Sequence, residues 1–477
     1  MDIDSVGWRR LAYLSCAALS VSIAYSLFHV PFEVGDTLNT LLRVDASSAL
    51  DIFWSDLFAR GFMRPLTVVT SNVLFESGRV LGAHYFLVYR TFHTVIIALI
   101  LTGVVKVLRV STFQTFALAM LSVAAVLGAI PFHQAVHETE LNVKLIMTTA
   151  CIMAVALASS PRHWWSDLAA VALATYAMFT NELGLLVWVG LVAAYVAGFR
   201  GVSLRAVAVI TAILCVYFYL RFVRLSVGAP GLVERSSGYG FSIRSPQELV
   251  AMFGAHPLPF YAYNVVASAL AVLLSEPSNG VFVFVRNLLT GKTTPAMYVN
   301  VISSTLTTLT IVWYVVRGSG AWVRRELTYH DRLFFVAVAM IGANAAISFP
   351  YTKDVTMVPA TVFFAIAMFV AVHALVGELA RRRIGTERPV AMYVVLAIIV
   401  VGWSIRSLSF YADMRIQSYK AQTDWVFLDD WMRSGQIEIR SPHGRDLAEQ
   451  FRAEMIGMEV PKVYLDPPWI KELLTTE

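Results

Sequence analysis

The sequence predicts an all-α integral membrane protein of about eleven transmembrane helices, and three observations carry that prediction. Apolar residues fill 57% of the 477 positions and charged residues only 14%, a balance that no ordinary soluble globule keeps. The apolar residues fall into runs long enough to cross a hydrocarbon core of about 30 Å, which takes roughly 20 helical residues each. Lysines and arginines collect in every second short loop, where topology signals sit. The bilayer core holds no water to satisfy backbone N–H and C=O groups, so these runs are helices.

The spans cover 11–30, 84–105, 113–131, 143–159, 167–180, 183–199, 206–225, 296–316, 333–350, 357–380 and 390–408. The first follows Trp8, Arg9 and Arg10. It has the basic flank of a signal sequence, but its apolar run is too long and no small-residue cleavage pattern follows, so it reads as a retained anchor. The fifth and sixth spans are the shortest.

With Arg9 and Arg10 cytoplasmic, five further basic loops fall on the same side: Lys106 with Arg109, Arg162 with His163, Arg200 with Arg205, Arg317 with Arg324 and Arg325, and Arg381 to Arg383. The N-terminus is then inside and the C-terminus outside. The opposite face receives the outer loops 31–83 and 226–295 and the tail from 409, which divides the chain into a transmembrane domain, 1–408, and a short extracytoplasmic tail, 409–477. Within the second loop, 264–274 and 281–289 are apolar but short, and read as interfacial or re-entrant helices. The tail carries Asp424, Trp425, Asp429, Asp430 and Trp431 in a run that fits a helix on the outer surface. It is too short to be a catalytic domain with its own core.

Two classes of partner drop out. The basic balance comes from loop signals, so no nucleic-acid partner is expected. Cys16, Cys151 and Cys215 sit in apolar runs without the spacing of a disulfide or a zinc site.

Several polar clusters on the outer side can carry chemistry. Glu33 and Asp36, in Pro31-Phe32-Glu33-Val34-Gly35-Asp36, follow the first span, where a carboxylate can take a proton from an acceptor hydroxyl; acids in a wet loop are also commonly just solvated. Arg64-Pro65-Leu66 opens a stretch with apolar residues at Leu66, Val69, Val73 and Leu74, which suits an amphipathic helix in the interface with Pro65 in its first turn. Arg64 then points at a site or at lipid phosphate.

At the outer end of the third span, His133 and His137 stand at i, i+4 and share one helix face, with Glu138 and Glu140 beside them. Polar lining of a cleft is favoured there over a metal pair, because no third ligand motif adjoins. Glu182, after Asn181, lies between two short spans, as a membrane-depth acid or as the cap of a tight turn. Arg221 and Arg224 stand on the wrong side for the charge rule and call for anionic partners. Lys353 occupies a very short outer turn, where it can clamp a phosphate or pair with Asp354. Arg90 and His93 lie one turn apart within the second span and read as interhelical hydrogen-bonding groups.

In this order the pieces resemble the GT-C superfamily of polytopic membrane glycosyltransferases, in particular the transmembrane O-mannosyltransferase branch. The matching stretches are 32–36, Arg64-Pro65-Leu66, His93, 131–140, Asn181-Glu182, His256-Pro257-Leu258 and 351–354. Gly35 stands where that branch has a second acid, Asn181 replaces its lysine, the third-span histidines are spaced differently, and its tetratricopeptide repeats are missing.

The resemblance implies a transferase that takes a sugar from a polyprenyl-phosphate lipid and gives it to a glycan, lipid or protein acceptor hydroxyl on the extracytoplasmic face, with inversion. It makes Asp36 the catalytic base and Arg64, Arg221, Arg224 and Lys353 the donor-phosphate residues. Glu33, His133, His137, Glu138 and Glu182 support the acid or the acceptor site, with His256 beside them. No metal is required, although a divalent ion is compatible. The absence of any Asn-x-Ser/Thr sequon points to a bacterial inner membrane. The rivals are an oligosaccharide ligase or polymerase that uses a lipid diphosphate, and a transporter or flippase. The latter is disfavoured, since no pair of Gly/Pro-broken spans recurs in matching halves.

Overall fold

The computed structural model describes residues 5–58, 63–81, 85–137, 142–224, 246–254, 258–276, 282–350, 352–383, 390–435, 437, 439 and 442–459. Every regular element among them is helical. In order they are α1 Ser5–Leu27, α2 Gly35–Ala46, α3 Ala49–Phe58, α4 Pro65–Leu81, α5 Tyr85–Leu108, α6 Phe113–Leu127, α7 Ile130–His137, α8 Val143–Ser159 and α9 Trp164–Thr180. A 3-10 turn, Glu182–Gly184, then leads into α10 Leu185–Val196 and α11 Leu204–Phe218, which ends in a π-wound turn, Tyr219–Arg224. The remainder are α12 Pro246–Phe253, α13 Leu258–Leu273, α14 Val283–Leu289, α15 Pro295–Val323, α16 Tyr329–Ile347, a 3-10 turn Asp354–Met357, α17 Val358–Arg383, α18 Val390–Val426, α19 Leu428–Arg433 and α20 Pro442–Ile456.

A helix coincides with each of the eleven apolar runs. Among the described residues, seven helices are long and apolar enough to cross a membrane, or eight if α6 and α7, bent by 59° at their junction, form one span. That marks an integral membrane protein. Three of the expected spans, α8, α9 and α10, are shorter than a bilayer-crossing helix of ordinary length.

The most apolar stretch of α17 is wholly buried, so α17 is the axis of the bundle. A helix that is apolar all round has no face to give to solvent. Around it pack α5, α6, α8, α15, α16 and α18.

Contacts between loops sort the helix ends into two sets. At one end Trp8 meets Phe113 (5.4 Å), Arg109 donates to the Ser159 carbonyl (2.8 Å) and covers the Tyr329 ring (3.7 Å), Ser203 N donates to Asp167 (2.7 Å), and Arg332 donates to the Gly198 carbonyl (3.1 Å). Those are the basic loops that the charge pattern places together. At the other end Arg90 meets residues 30 and 31, Thr67 meets Thr180, and Asn264 meets Phe349. The long loops therefore share one end of the bundle.

One expectation needs correction. The run 424–431 is not a single surface helix: α18 runs unbroken from the last apolar span past residue 408 to Val426, the chain turns at Phe427, and Trp425 is completely buried. Its indole N–H donates to the Phe32 carbonyl (2.6 Å), a partner nearly four hundred residues away in sequence. Helix α20 packs on both α18 and α2, so the tail folds back over the first loop.

Candidate functional site

The best-defined polar cluster at the long-loop end is built around Glu182. Its two carboxylate oxygens are divided between two cations, with Arg64 on one and Arg221 on the other. Arg221 also donates to the Tyr217 hydroxyl, one helical turn earlier on α11.

Local structure explains the convergence. Met63 stands in the left-handed region (φ 47°), unusual for a residue with a side chain, and turns the chain so that Arg64 reaches Glu182 from the start of α4. The Thr67 hydroxyl donates to the Thr180 carbonyl (2.5 Å), and the Thr70 and Tyr176 hydroxyls are 3.0 Å apart, which locks α4 onto α9. Asn181 caps the Glu182 turn by accepting from Leu183 N (3.0 Å). Gly184 is obligatory in this turn, since a Cβ there would lie 2.1 Å from the Ala177 carbonyl oxygen.

Burial opposes the charge on Glu182, yet the guanidiniums of Arg64 and Arg221 outweigh it and hold the carboxyl down at about 2. The cluster therefore stays fully charged near neutrality, with two cations on one anion. The side chain of Arg221 is 8% exposed and that of Arg64 35%, so Arg64 is the cation that an arriving anion meets first.

Arg221 and Arg224 differ in their surroundings. Arg221 is buried whereas Arg224 is exposed. In the wider π winding of Tyr219–Arg224, residues three apart are turned off each other's face.

His133 and His137 share one face of α7, as their spacing requires. Both approach one carboxylate, Asp413 on α18, at 3.5 and 3.4 Å. His133 also bonds the Leu127 carbonyl through Nε2 (2.6 Å). No group of three or more His, Cys, Asp or Glu side chains among the described residues is arranged to hold a metal ion.

Lys353 precedes the Asp354–Met357 turn, which packs against α7. Asn344 builds that turn, donating to the Thr356 carbonyl (2.9 Å) and accepting from Ala360 N (3.0 Å). Arg90 donates to the carbonyls of Val30 (2.5 Å) and Pro31 (3.2 Å), in the loop between α1 and α2, beside His93 Nδ1 of its own helix (3.2 Å), so these bonds run from helix to loop rather than between helices as expected.

Glu33 lies half-buried just before α2, and Asp36 is the second residue of α2, its side chain outside what the structure describes. Glu138, Glu140 and His256 also lie outside the described residues. The sequence reading missed Asp413 and Tyr217, and took Trp425 for part of a surface run. Tyr217 stands at i, i+4 from Arg221 and was open to the same spacing rule as the histidines. Asp413 and Trp425 carry no local signal, because their partners are hundreds of residues away.

No family model matches this chain, and no curated protein matches it. Among solved structures it is similar to the crystal structure of the Archaeoglobus fulgidus oligosaccharyltransferase in the apo form, with a TM-score of 0.44 and 12% identity over 97% of this chain. The match covers 64% of the archaeal protein, so this chain spans less than two thirds of its length. A likeness of that size carries no weight for the chemistry, which is read from this chain's own residues.

Proposed function

We propose that the protein is a membrane glycosyltransferase that moves a sugar from a polyprenyl-phosphate donor to an acceptor hydroxyl on the extracytoplasmic face. In this reading all eleven apolar runs cross a bacterial inner membrane, the N-terminus is cytoplasmic, and residues 1–408 form the transferase domain beneath the tail 409–477. The observation that carries it is the meeting of Arg64 and Arg221, from segments far apart in sequence, on one carboxylate at the end of the bundle that bears the long loops.

The donor phosphate approaches Arg64, the more exposed guanidinium, while Glu182, itself anchored by Arg221, holds Arg64 in place. Guanidinium–phosphate pairing is bidentate and strong. Asp36 takes the proton of the acceptor hydroxyl as that oxygen attacks the anomeric carbon. The bond from that carbon to the phosphate oxygen breaks on the opposite side, and polyprenyl phosphate leaves. The leaving group is already a stabilised anion, so the protein supplies mainly position and cations. Lys353 and Arg224 are supporting cations for the lipid headgroup, and the His133–His137–Asp413 cluster lines the acceptor side.

The test is Asp36→Asn in proteoliposomes supplied with polyprenyl-phosphate hexoses, with released polyprenyl phosphate as the readout. Loss of transfer by a factor of about 10² to 10⁴ is expected for removal of a general base. Transfer at the wild-type rate would overturn the proposal. Donors bearing an oligosaccharide on a lipid diphosphate, run in parallel, identify a ligase if they alone are consumed.

A further inference from the structure

We infer that the C-terminal segment belongs to the catalytic apparatus, with Trp425 acting as a positioning residue that fixes the start of α2 and thereby Asp36. The inference rests on the assignment of Asp36 as the base.

Helix α2 has no side-chain cap: its N-cap is Val34, which has no group to accept from the first-turn N–H groups. Its first turn is closed by the backbone, with Leu38 N donating to the Val34 carbonyl (3.0 Å). Residues 30–32, a short way ahead of it, are held from outside the loop. Arg90 on α5 donates to the carbonyls of Val30 (2.5 Å) and Pro31 (3.2 Å), and its guanidinium lies over the Phe32 ring (4.7 Å). Trp425 on α18 donates to the Phe32 carbonyl (2.6 Å), and Phe32 N donates to Met455 Sδ on α20 (3.4 Å).

These bonds bind carbonyls of three successive residues, and both partners on Phe32's backbone come from beyond residue 408. The tail also holds the far end of α2, where His443 bonds Asp45 (2.8 Å). The side chains of Phe32 and Trp425 are both essentially buried, so water does not replace a lost bond at this point.

A general base loses effect quickly when displaced, since a shift of about 1 Å at a reacting group costs on the order of 10² in rate. Trp425 thus transmits the docking of the tail to the reacting carboxylate without touching substrate. The tail is a working part of the first loop.

The experiment uses the full chain in lipid nanodiscs and compares Trp425→Phe, Trp425→His and the exposed Trp164→Phe. Trp425→Phe removes the ring N–H donor together with part of the ring volume at a buried site. Its kcat for polyprenyl-phosphate hexose is expected to fall at least about tenfold, with donor KM within about twofold of wild type. Amide hydrogen exchange across residues 33–46 is expected to quicken by a similar factor. Trp425→His, which keeps a ring N–H, recovers part of both, and Trp164→Phe changes neither.

Wild-type kcat and wild-type exchange in Trp425→Phe would overturn the inference, as would a rise in KM at constant kcat. If Trp425→Phe fails to fold, Trp425→His decides: retained kcat and exchange support the inference, and their loss overturns it. Should Asp36→Asn keep full transfer, the assignment of the base fails on its own, while the exchange result still reports whether Trp425 holds α2.

Discussion

Glu182 gains its character from its neighbours. In the unfolded chain it titrates near the ordinary 4.5, and in the folded protein Arg64 and Arg221 hold it at about 2. Because the folded value is the lower one, its ion pairs contribute stability that is complete above about pH 4.5 and disappears as the pH falls through about 2. Glu182→Gln is expected to flatten that acid limb in thermal unfolding measured in detergent, and to cost about 3 kcal/mol near neutrality by leaving Arg221 buried without its counter-ion. Arg64→Ala is expected to raise donor KM more than it lowers kcat, since the more exposed cation engages the ground-state phosphate as well as the transition state. Sequence spacing revealed the shared face of His133 and His137 but not Asp413, which both approach. Periodicity reports which residues share a helix face and is silent about which other helix that face meets.

At the scale of elements, the turn that carries Glu182 works because Gly184 tucks under the end of α9. Gly184→Ala drives a methyl into the Ala177 carbonyl, which is backbone and cannot step aside. The expected outcome is a Tm lower by several degrees together with a higher donor KM, because the turn that presents Glu182 to both arginines is pushed away. An unchanged KM in a folded Gly184→Ala protein would show that the turn does not position the cations. Helix α4 was legible as an amphipathic segment opened by Pro65, but its buried face is mixed: Ser71 and Asn72 turn inward beside Phe75, with Asn72 bonding the Val44 carbonyl (3.1 Å), while Val73 and Val80 are exposed. A helix at a membrane surface can point its apolar side at lipid, and hydropathy alone does not say which side is the core.

Over the whole molecule, the charge pattern and the packing agree about which loops stand together, and the proposed orientation rests on the charge pattern. In a cysteine-free background, single cysteines at Lys292 and Gly435 are expected to react with a membrane-impermeant maleimide on intact cells. One at Arg162 is expected to react only after permeabilisation. The reverse pattern would invert the topology and remove the extracytoplasmic site.

The sequence by itself determined the helical class, the place of each apolar helix and the grouping of the loops, because lipid demands a long apolar run for every span and basic residues resist crossing. Only the tertiary structure decided that Arg64 and Arg221 share Glu182, that His133 and His137 approach Asp413, and that Trp425 grips the chain ahead of α2. Those pairings join residues tens to hundreds of positions apart, and the helix contacts that bring them together leave no periodic trace in the chain.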